Sequence, residues 1–176
     1  MNHLMVDVET LSTRPDAVIL SVAWVAFDPE LCVMDPPSMY HLDRHDQDGR
    51  HIDPNTCKWW FEQSPDAFNR MSIGQKDAAK TATPAEAKMQ LRRALEAADH
   101  IWANDPDFDC TILRDWVGYD YKWPFWKHRS LRTIATLYPT TKDVRNNYTF
   151  VAHDPSEDCK MQIAMVEEAY RQRGNI

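Results

Sequence analysis

The apolar, β-rich runs near the start of the chain restrict the fold more than any other feature of the sequence. Residues 3–8 have the composition of a buried strand, and residues 18–27 form a longer run of β-favouring residues that Pro29 ends. A third strand is predicted within residues 32–42. This opening is typical of a meander of antiparallel strands.

The pattern then changes to helices, whose starts share one chemistry: an oxygen-bearing cap residue followed by proline at the first helical position. Asp105-Pro106 predicts a further start, directly after a predicted strand at residues 100–103. Strands and helices together predict an α/β class with a mixed sheet. The clearest starts are Asp53-Pro54, Thr83-Pro84 and Asp154-Pro155, of which the last two add Glu86 and Glu157 as capping boxes.

Length and composition predict a single domain. With 176 residues and 43% hydrophobic content, the chain can bury one sizeable core, and we expect residues 1–176 to form one domain. The longest apolar stretch, residues 17–27, is shorter than the roughly 18 residues that a membrane helix needs. Because no secretory signal pattern precedes Asp7, we expect a cytoplasmic protein with no membrane segment.

The net charge limits how the protein can meet nucleic acid. Lys and Arg total 20 against 27 Asp and Glu, a formal charge of -7, so the surface as a whole cannot attract phosphates. Any contact with nucleic acid must therefore be local or assisted by metal ions. The four cysteines are widely spaced, with no Cys-x-x-Cys pair that would suggest zinc.

Two carboxylates near the end of the first predicted strand are candidate metal ligands. Asp7 and Glu9 stand at i and i+2, and because side chains alternate faces along a strand, both should project on one side. Two like charges held beside a core repel each other unless a divalent cation lies between them. Taken alone, the pair is more simply explained as solvated acids at a strand tip.

Two further acids occupy equivalent places in predicted helix starts. Asp109 and Asp158 each end an Asp-Pro-x-x-Asp run, which predicts that both lie in a first helical turn, near its positive end. Either acid alone is ordinary complementation of a helix dipole. The combination with Asp7 and Glu9 favours one shared site.

Three short motifs occur in order along the chain: Asp-x-Glu at Asp7 and Glu9, Asn-x-x-x-Phe-Asp at residues 104–109, and His-x-x-x-x-Asp at residues 153–158. They are the motifs of the DEDD, or DnaQ-like, exonuclease superfamily, which the chain resembles over nearly its whole length. The histidine is typical of the DEDDh branch. Within that branch, the chain resembles the short bacterial and phage exoribonucleases related to exonuclease VIII, which have counterparts of Trp59-Trp60 and of the Arg132-Thr133 stretch.

Three positions depart from the pattern of these relatives. Asp154-Pro155-Ser156 stands where Asn-Ala-Leu is usual, Asp105 where glycine is common, and Ser130 where an acid is expected. The ligand positions themselves are kept, so the departures concern substrate preference rather than the chemistry.

The resemblance implies a ribonuclease H-like fold, with a mixed, mostly five-stranded sheet flanked by helices. It also implies two divalent cations, Mg²⁺ or Mn²⁺, which clamp the attacking and leaving oxygens of a phosphodiester displacement. Asp7, Glu9, Asp109 and Asp158 would be the metal ligands, with Asp7 bridging. His153 would complete the catalytic set as the general base that takes a proton from the attacking water.

The expected substrate is the 3′ end of single-stranded RNA or DNA, hydrolysed to nucleoside monophosphates, with RNA favoured by the resemblance. Leu11 should wedge beside the terminal base, and Phe108 should stack nearby. Trp59 and Trp60 cannot both face inward, because adjacent helical positions point about 100° apart. The full set of expected substrate contacts is Thr10, Leu11, Trp59, Trp60, Asn104, Phe108 and Arg132.

The segment 119–132 alternates aromatic and basic residues in an otherwise acidic protein. It is interpreted equally well as a surface that stacks bases and neutralises phosphates, or as rings that cover the core or form a dimer contact. A homodimer is an expectation from the resemblance. Two other functions stay open: a non-catalytic nucleic-acid-binding module, which would normally lose a metal ligand, and a structure-selective endonuclease on the same fold.

Overall fold

A mixed six-stranded sheet forms the centre of the molecule in the computed structural model, which describes residues 2–65, 83–149 and 153–173. The strand order is β3-β2-β1-β5-β6, and β4 also pairs with β2. The pairs within β1 to β4 are antiparallel, whereas β1 with β5 and β5 with β6 are parallel. The strands are β1 His3–Thr10, β2 Ile19–Asp28, β3 Val33–Met34, β4 Ser38–His41, β5 His100–Ala103 and β6 His128–Ser130.

Helices cover both faces of this sheet. Short 3₁₀ helices at Arg44–Asp46 and Phe125–Lys127 lie in the connections. The α-helices of the described ranges that bear on the site are α1 Pro54–Phe61, α2 Pro84–Ala97, α3 Asp109–Val117, α4 Leu131–Leu137, α5 Thr141–Asn147 and α6 Pro155–Arg173.

The predicted α/β class, mixed sheet and antiparallel meander are confirmed, with one correction to the strand count. The strand predicted within residues 32–42 is split into β3 and β4, which both pair with β2. Asp35-Pro36-Pro37 separates them, because proline has no N–H to donate to a sheet. The sheet therefore has six strands rather than mostly five, and its sixth strand, β6, lies inside the aromatic and basic segment 119–132, where no strand was predicted.

The helix starts agree with the predicted cap-proline pairs at three places and differ at one. Helices α1, α2 and α6 begin at Pro54, Pro84 and Pro155. At the fourth place, regular helix begins at Asp109 and not at Pro106. The Asp105 side chain accepts a hydrogen bond from the Asp107 N–H at 3.2 Å, which forms a local turn that delays the helix.

The two predicted capping boxes also differ. Thr83 accepts from the Glu86 N–H while the Glu86 carboxylate accepts from the Thr83 N–H, so this box is complete. The Asp154 side chain accepts from the Glu157 N–H at 3.2 Å. The Glu157 carboxylate pairs with Lys160 at 2.7 Å, because the ammonium group lies three residues further along the same helix face.

Strand β1 is buried on both faces and separates two parts of the core. Leu4, Val6 and Val8 pack on the side of α2 and α3. Met5 packs on the other side, against residues of α4 and α6. The alternation along β1 therefore assigns each of its side chains to one helix layer. Among the described residues, no helix combines the length and the apolar character needed to cross a bilayer.

Removal of the Thr83 cap should destabilise the protein through α2. We expect Thr83→Ala to lower the free energy of unfolding by about 1 kcal/mol, because the Glu86 N–H loses its acceptor and the Glu86 carboxylate loses the Thr83 hydroxyl donor. Thr83→Ser keeps the hydroxyl and serves as the control. Urea unfolding measures both variants, and equal stability of the two would show that the cap contributes nothing.

Candidate active site

The alternation of β1 brings Asp7 and Glu9 to the face of the sheet on which α6 packs. Both residues share the parity of Met5, which contacts this helix layer. Helix α6 presents Asp158 from its first turn toward them. One carboxylate oxygen from each of Asp7, Glu9 and Asp158 lies within 4.8 Å of the others. The three acids form a possible metal site.

Asp109 reaches the same group of acids from a different element, the start of helix α3. It is the first residue of α3, which follows β5, and β5 runs parallel to β1. Because parallel strands end at the same edge of a sheet, the start of α3 lies beside the end of β1. The side chain of Asp109 is 4% exposed, and its Oδ2 accepts a hydrogen bond from the Asp105 N–H at 3.3 Å.

A cavity of about 380 Å³ opens at this edge. Asp7, Glu9, Asp109, Asp158 and His153 all lie on its wall, so the structure brings together every residue of the predicted catalytic set. Three of the expected substrate contacts lie on the same wall: Asn104, Phe108 and Arg132.

The remaining expected substrate contacts are not found on this wall. In the described ranges, the cavity lining does not include Thr10, Leu11, Trp59 or Trp60. Leu11 is 6% exposed and packs with Val18, Leu20 and Trp60 in a small cluster of its own. In this structure Leu11 is a packing residue, and its contact with a terminal base stays a prediction.

The carboxylates are held by donors that carry no permanent charge. Asp158 Oδ2 accepts from the backbone N–H of His153 at 2.9 Å. Asp7 Oδ1 accepts from the side-chain amide of Gln162 at 2.9 Å. The imidazole Nδ1 of His153 lies 3.6 Å from Glu9 Oε1. Each contact fixes one carboxylate oxygen in place.

Burial raises the pKa of all four acids, and the charges of neighbouring acids add to the rise in three of them. Burial raises the pKa of Asp7 well above its ordinary value, and the charges of Asp109, Glu9 and Asp158 add to the effect. Burial likewise raises the pKa of Glu9, and raises the pKa of Asp109 and of Asp158 to about 7. Four oxygen-rich groups that repel each other when ionised are a donor set suited to hard divalent cations.

His153 is supported by aromatic residues of α1. Its ring meets Trp59 edge to face at 4.9 Å between centroids and Trp60 at 5.5 Å. Trp60 is 2% exposed and donates from Nε1 to the Thr10 carbonyl at 2.8 Å, whereas Trp59 is 42% exposed. The adjacent tryptophans thus point in different directions, as helix geometry requires. The hydrogen bond with Glu9 raises the pKa of His153, and burial opposes that rise.

Two polar residues of the cavity wall, Gln162 and Arg145, were not identified from sequence. Gln162 follows Asp158 by four residues, a spacing that places both on one helix face and could have indicated it. Arg145 lies on α5, in no recognisable motif, and its charge opposes the rise in the pKa of Asp158.

The aromatic and basic segment 119–132 is divided between core and surface. Trp123 is buried and donates from Nε1 to His128 Nε2 at 2.7 Å, which supports the interpretation that part of the segment covers the core. Phe125 and Trp126 are exposed, but they precede β6, whereas Arg132 follows it and lies on the cavity wall. The exposed rings and the cavity therefore lie at opposite ends of one strand.

The fold and the site define a nuclease of the ribonuclease H-like class: a mixed sheet with buried acids converging where its parallel strands end. The family model of the 3′-5′ exoribonuclease Rv2179c-like domain matches residues 2–170. The chain belongs to this family, and it is therefore a 3′-5′ exonuclease. The predicted resemblance to DnaQ-like exonucleases is confirmed.

The chain is also similar to individual known proteins. The exodeoxyribonuclease of Enterobacteria phage T4 is 25% identical over an alignment of 208 positions, which covers 97% of this chain and 90% of the relative. E. coli exonuclease I in complex with a dT13 oligonucleotide superposes with a TM-score of 0.67 at 15% identity, over 98% of this chain and 42% of that chain. Exonuclease I from Methylocaldum szegediense gives a TM-score of 0.66 at 15% identity, over 98% and 41%. The chain spans less than half of these exonuclease I chains, whose likeness establishes the fold.

The raised pKa values predict that the metal-free protein loses stability as the pH rises. Between its ordinary pKa of 3.8 and the value of about 7 in the fold, Asp109 is protonated in the folded chain and ionised in the unfolded chain. Protons therefore favour the folded state in this window. In EDTA, Asp109→Asn should flatten the fall in melting temperature between about pH 4 and about pH 7, and raise the melting temperature at the upper end.

Asp48→Asn, which changes an exposed carboxylate outside the cavity, is the matched control. Its profile should follow that of the wild type. If Asp109→Asn and Asp48→Asn give the same profile, repulsion among the buried acids does not limit the stability of the metal-free protein.

Proposed function

We propose that this protein is a metal-dependent exonuclease that hydrolyses single-stranded nucleic acid from its 3′ end, releasing nucleoside monophosphates. The observation that carries the proposal is the convergence of Asp7, Glu9, Asp109 and Asp158 with His153 on one cavity wall, in a member of a 3′-5′ exoribonuclease family. We further propose that the chain acts as a single exonuclease domain, since the family model spans nearly all of it.

The four acids suit two divalent cations, Mg²⁺ or Mn²⁺. Four carboxylates offer four negative charges, which two such ions balance, and all-oxygen ligands suit both metals. When bound, the pair of ions supplies charge stabilisation for the attacking and leaving oxygens of the phosphodiester. Asp7 feels the charges of all three other acids, which supports a bridging position for it.

His153 is proposed to accept the proton of the attacking water. Its imidazole lies at the mouth of the acid cluster, next to Glu9, and the pKa-raising contact with that carboxylate makes it a stronger base. The edge-to-face contacts with Trp59 and Trp60 limit the directions in which the ring can turn. The side chain is therefore held where a water beside the acids could reach it.

RNA is the proposed substrate, because the family is described as one of exoribonucleases. DNA is the second candidate, supported by the phage T4 relative, which is an exodeoxyribonuclease. The single-stranded form is supported by the structural neighbours that hold dT13 and dA16 oligonucleotides. Asn104, Phe108 and Arg132 line the cavity and are the proposed substrate contacts there. Thr10, Leu11, Trp59 and Trp60 are proposed substrate contacts outside the cavity lining.

Two other functions are less well supported. A binding module without catalysis would not need four buried acids that repel each other, since their repulsion costs folding free energy. A structure-selective endonuclease would have to differ in reaction from the family to which the chain belongs. The homodimer and the cytoplasmic location stay predictions.

A degradation assay tests the proposed function. We would incubate the protein with 5′-labelled single-stranded RNA and DNA of one sequence, with Mg²⁺ or Mn²⁺, beside EDTA and Asp7→Asn controls. We expect a ladder that shortens from the 3′ end, requires metal, and forms faster on RNA, with no ladder from Asp7→Asn. Cleavage of a circular single strand would indicate an endonuclease, and binding without cleavage would indicate the binding module.

Replacement of the proposed base should separate metal binding from turnover. We expect His153→Ala to keep the rise in melting temperature that Mn²⁺ produces but to lower kcat by about 10²- to 10⁴-fold, because only the proton acceptor is lost. His45→Ala, on the exposed 3₁₀ helix Arg44–Asp46, is the control. Turnover of His153→Ala equal to that of His45→Ala would eliminate His153 as the base.

A further inference from the structure

We propose that Gln162 is a positioning residue of this site, which orients the carboxylate of Asp7 for metal binding. The inference rests on the proposed metal-dependent function and adds to it a residue that lies outside the three exonuclease motifs. It follows from the contacts, burial and charge of the Gln162 amide.

The amide joins two elements that are far apart in the sequence. Gln162 Nε2 donates to Asp7 Oδ1 at 2.9 Å, and the two residues are 155 positions apart. Gln162 is 3% exposed and Asp7 is 8% exposed, so water competes little for this hydrogen bond. Among the described side chains, Gln162 is the donor that the structure gives to the Asp7 carboxylate.

Two of the other acids have a comparable anchor. A backbone N–H serves Asp158 and another serves Asp109, whereas the imidazole Nδ1 of His153 lies 3.6 Å from Glu9. Among the described residues, no backbone N–H donates to the Asp7 carboxylate, and its anchor is a side chain. Gln162 thus gives the Asp7 carboxylate a hydrogen-bond donor, as backbone N–H groups do for Asp109 and Asp158.

The neutrality of the amide suits an anchor of a metal ligand. A lysine or arginine at this position would neutralise the carboxylate and repel a divalent cation. Glutamine holds one oxygen of Asp7 in place, and the carboxylate keeps its negative charge. Anchors of this kind, placed behind metal ligands, fix the direction in which the ligand points.

Stability does not explain why a glutamine occupies this place. Its Oε1 is buried and has no hydrogen-bond partner among the described residues. A buried acceptor left unpaired costs folding free energy, and an apolar side chain of similar shape would avoid that cost. Around it, α6 is packed by Met161, Ile163 and Met165, so methionine would fit the surroundings. Glutamine at this position therefore lowers the stability of the fold, and its contact with Asp7 is what explains its presence.

The test is a titration with MnCl₂ alone, in the absence of substrate, of the wild-type protein and two variants. The melting temperature is measured at each MnCl₂ concentration. Gln162→Met removes the donor and keeps the volume. Gln172→Met is the matched control, since Gln172 lies on the same helix and donates to the Glu168 carboxylate outside the cavity at 2.8 Å. We expect the apparent Kd for Mn²⁺ to rise about 10- to 100-fold in Gln162→Met and to stay unchanged in the control.

A second readout separates positioning from a structural role. The metal-free melting temperature of Gln162→Met should be unchanged or higher, because an unpaired buried acceptor is removed, and excess Mn²⁺ should restore part of its turnover. A lower metal-free melting temperature with unchanged Mn²⁺ affinity would show a structural role and overturn the inference. If Gln162→Met does not fold, Gln162→Asn replaces it. Its side chain is one methylene shorter, so its amide no longer reaches Asp7, and the same outcomes apply.

A different result of the same titration would contradict the proposed function itself. If the wild-type melting temperature does not respond to Mn²⁺, the metal site itself is wrong. If the wild type responds and Gln162→Met responds with the same affinity, the site stands and only the role of Gln162 is overturned.

Discussion

The burial of strand β1 on both faces is the constraint on which the rest of the structure depends. A strand in the middle of a sheet has no solvent face, so each side chain along it must be placed in one helix layer or the other. Leu4, Val6 and Val8 fill one layer, and the acids share the other with Met5. Two carboxylates are thereby held in a place where few side chains of their kind are found.

This placement carries an energetic cost, which protonation of the acids or a bound cation would offset. Neutral donors orient the acids without cancelling their charge. Two cationic side chains on the cavity wall, Arg132 and Arg145, are exposed. Arg132 is already paired with Asp105 at 2.7 Å. The negative potential at the centre is therefore preserved, while positive charge lies where the backbone of a nucleic acid could meet it. An acidic protein can in this way attract phosphates at one point.

The aromatic residues of the chain serve different purposes according to where the fold places them. Trp60 fills the core and ties α1 to the end of β1, and Trp59 lies at the surface beside His153. Trp123 is part of the core, and Phe125 and Trp126 are exposed at the far end of β6. The aromatic residues that follow one another in segment 119–132 therefore do not form a single surface in the structure. The rings that contact His153 come from α1, a helix remote from it in the sequence.

Local chemistry in the sequence was enough to predict the meander and three helix starts, because strand alternation and caps act over a few residues. The short motifs singled out residues that meet on the cavity wall, whose catalytic role stays a proposal. Local chemistry did not predict that residues 32–42 form two strands, nor that β6 exists, since both depend on which neighbour a short segment pairs with. Nor could it predict Gln162 as the partner of Asp7, because a contact between residues 155 positions apart is decided by the packing of α6 on β1. The sequence by itself determined which acids this protein carries and at what local spacing. Only the tertiary structure decided which of them meet, how each is anchored and what lies beside them, because strand pairing and helix packing set distances that local spacing leaves open.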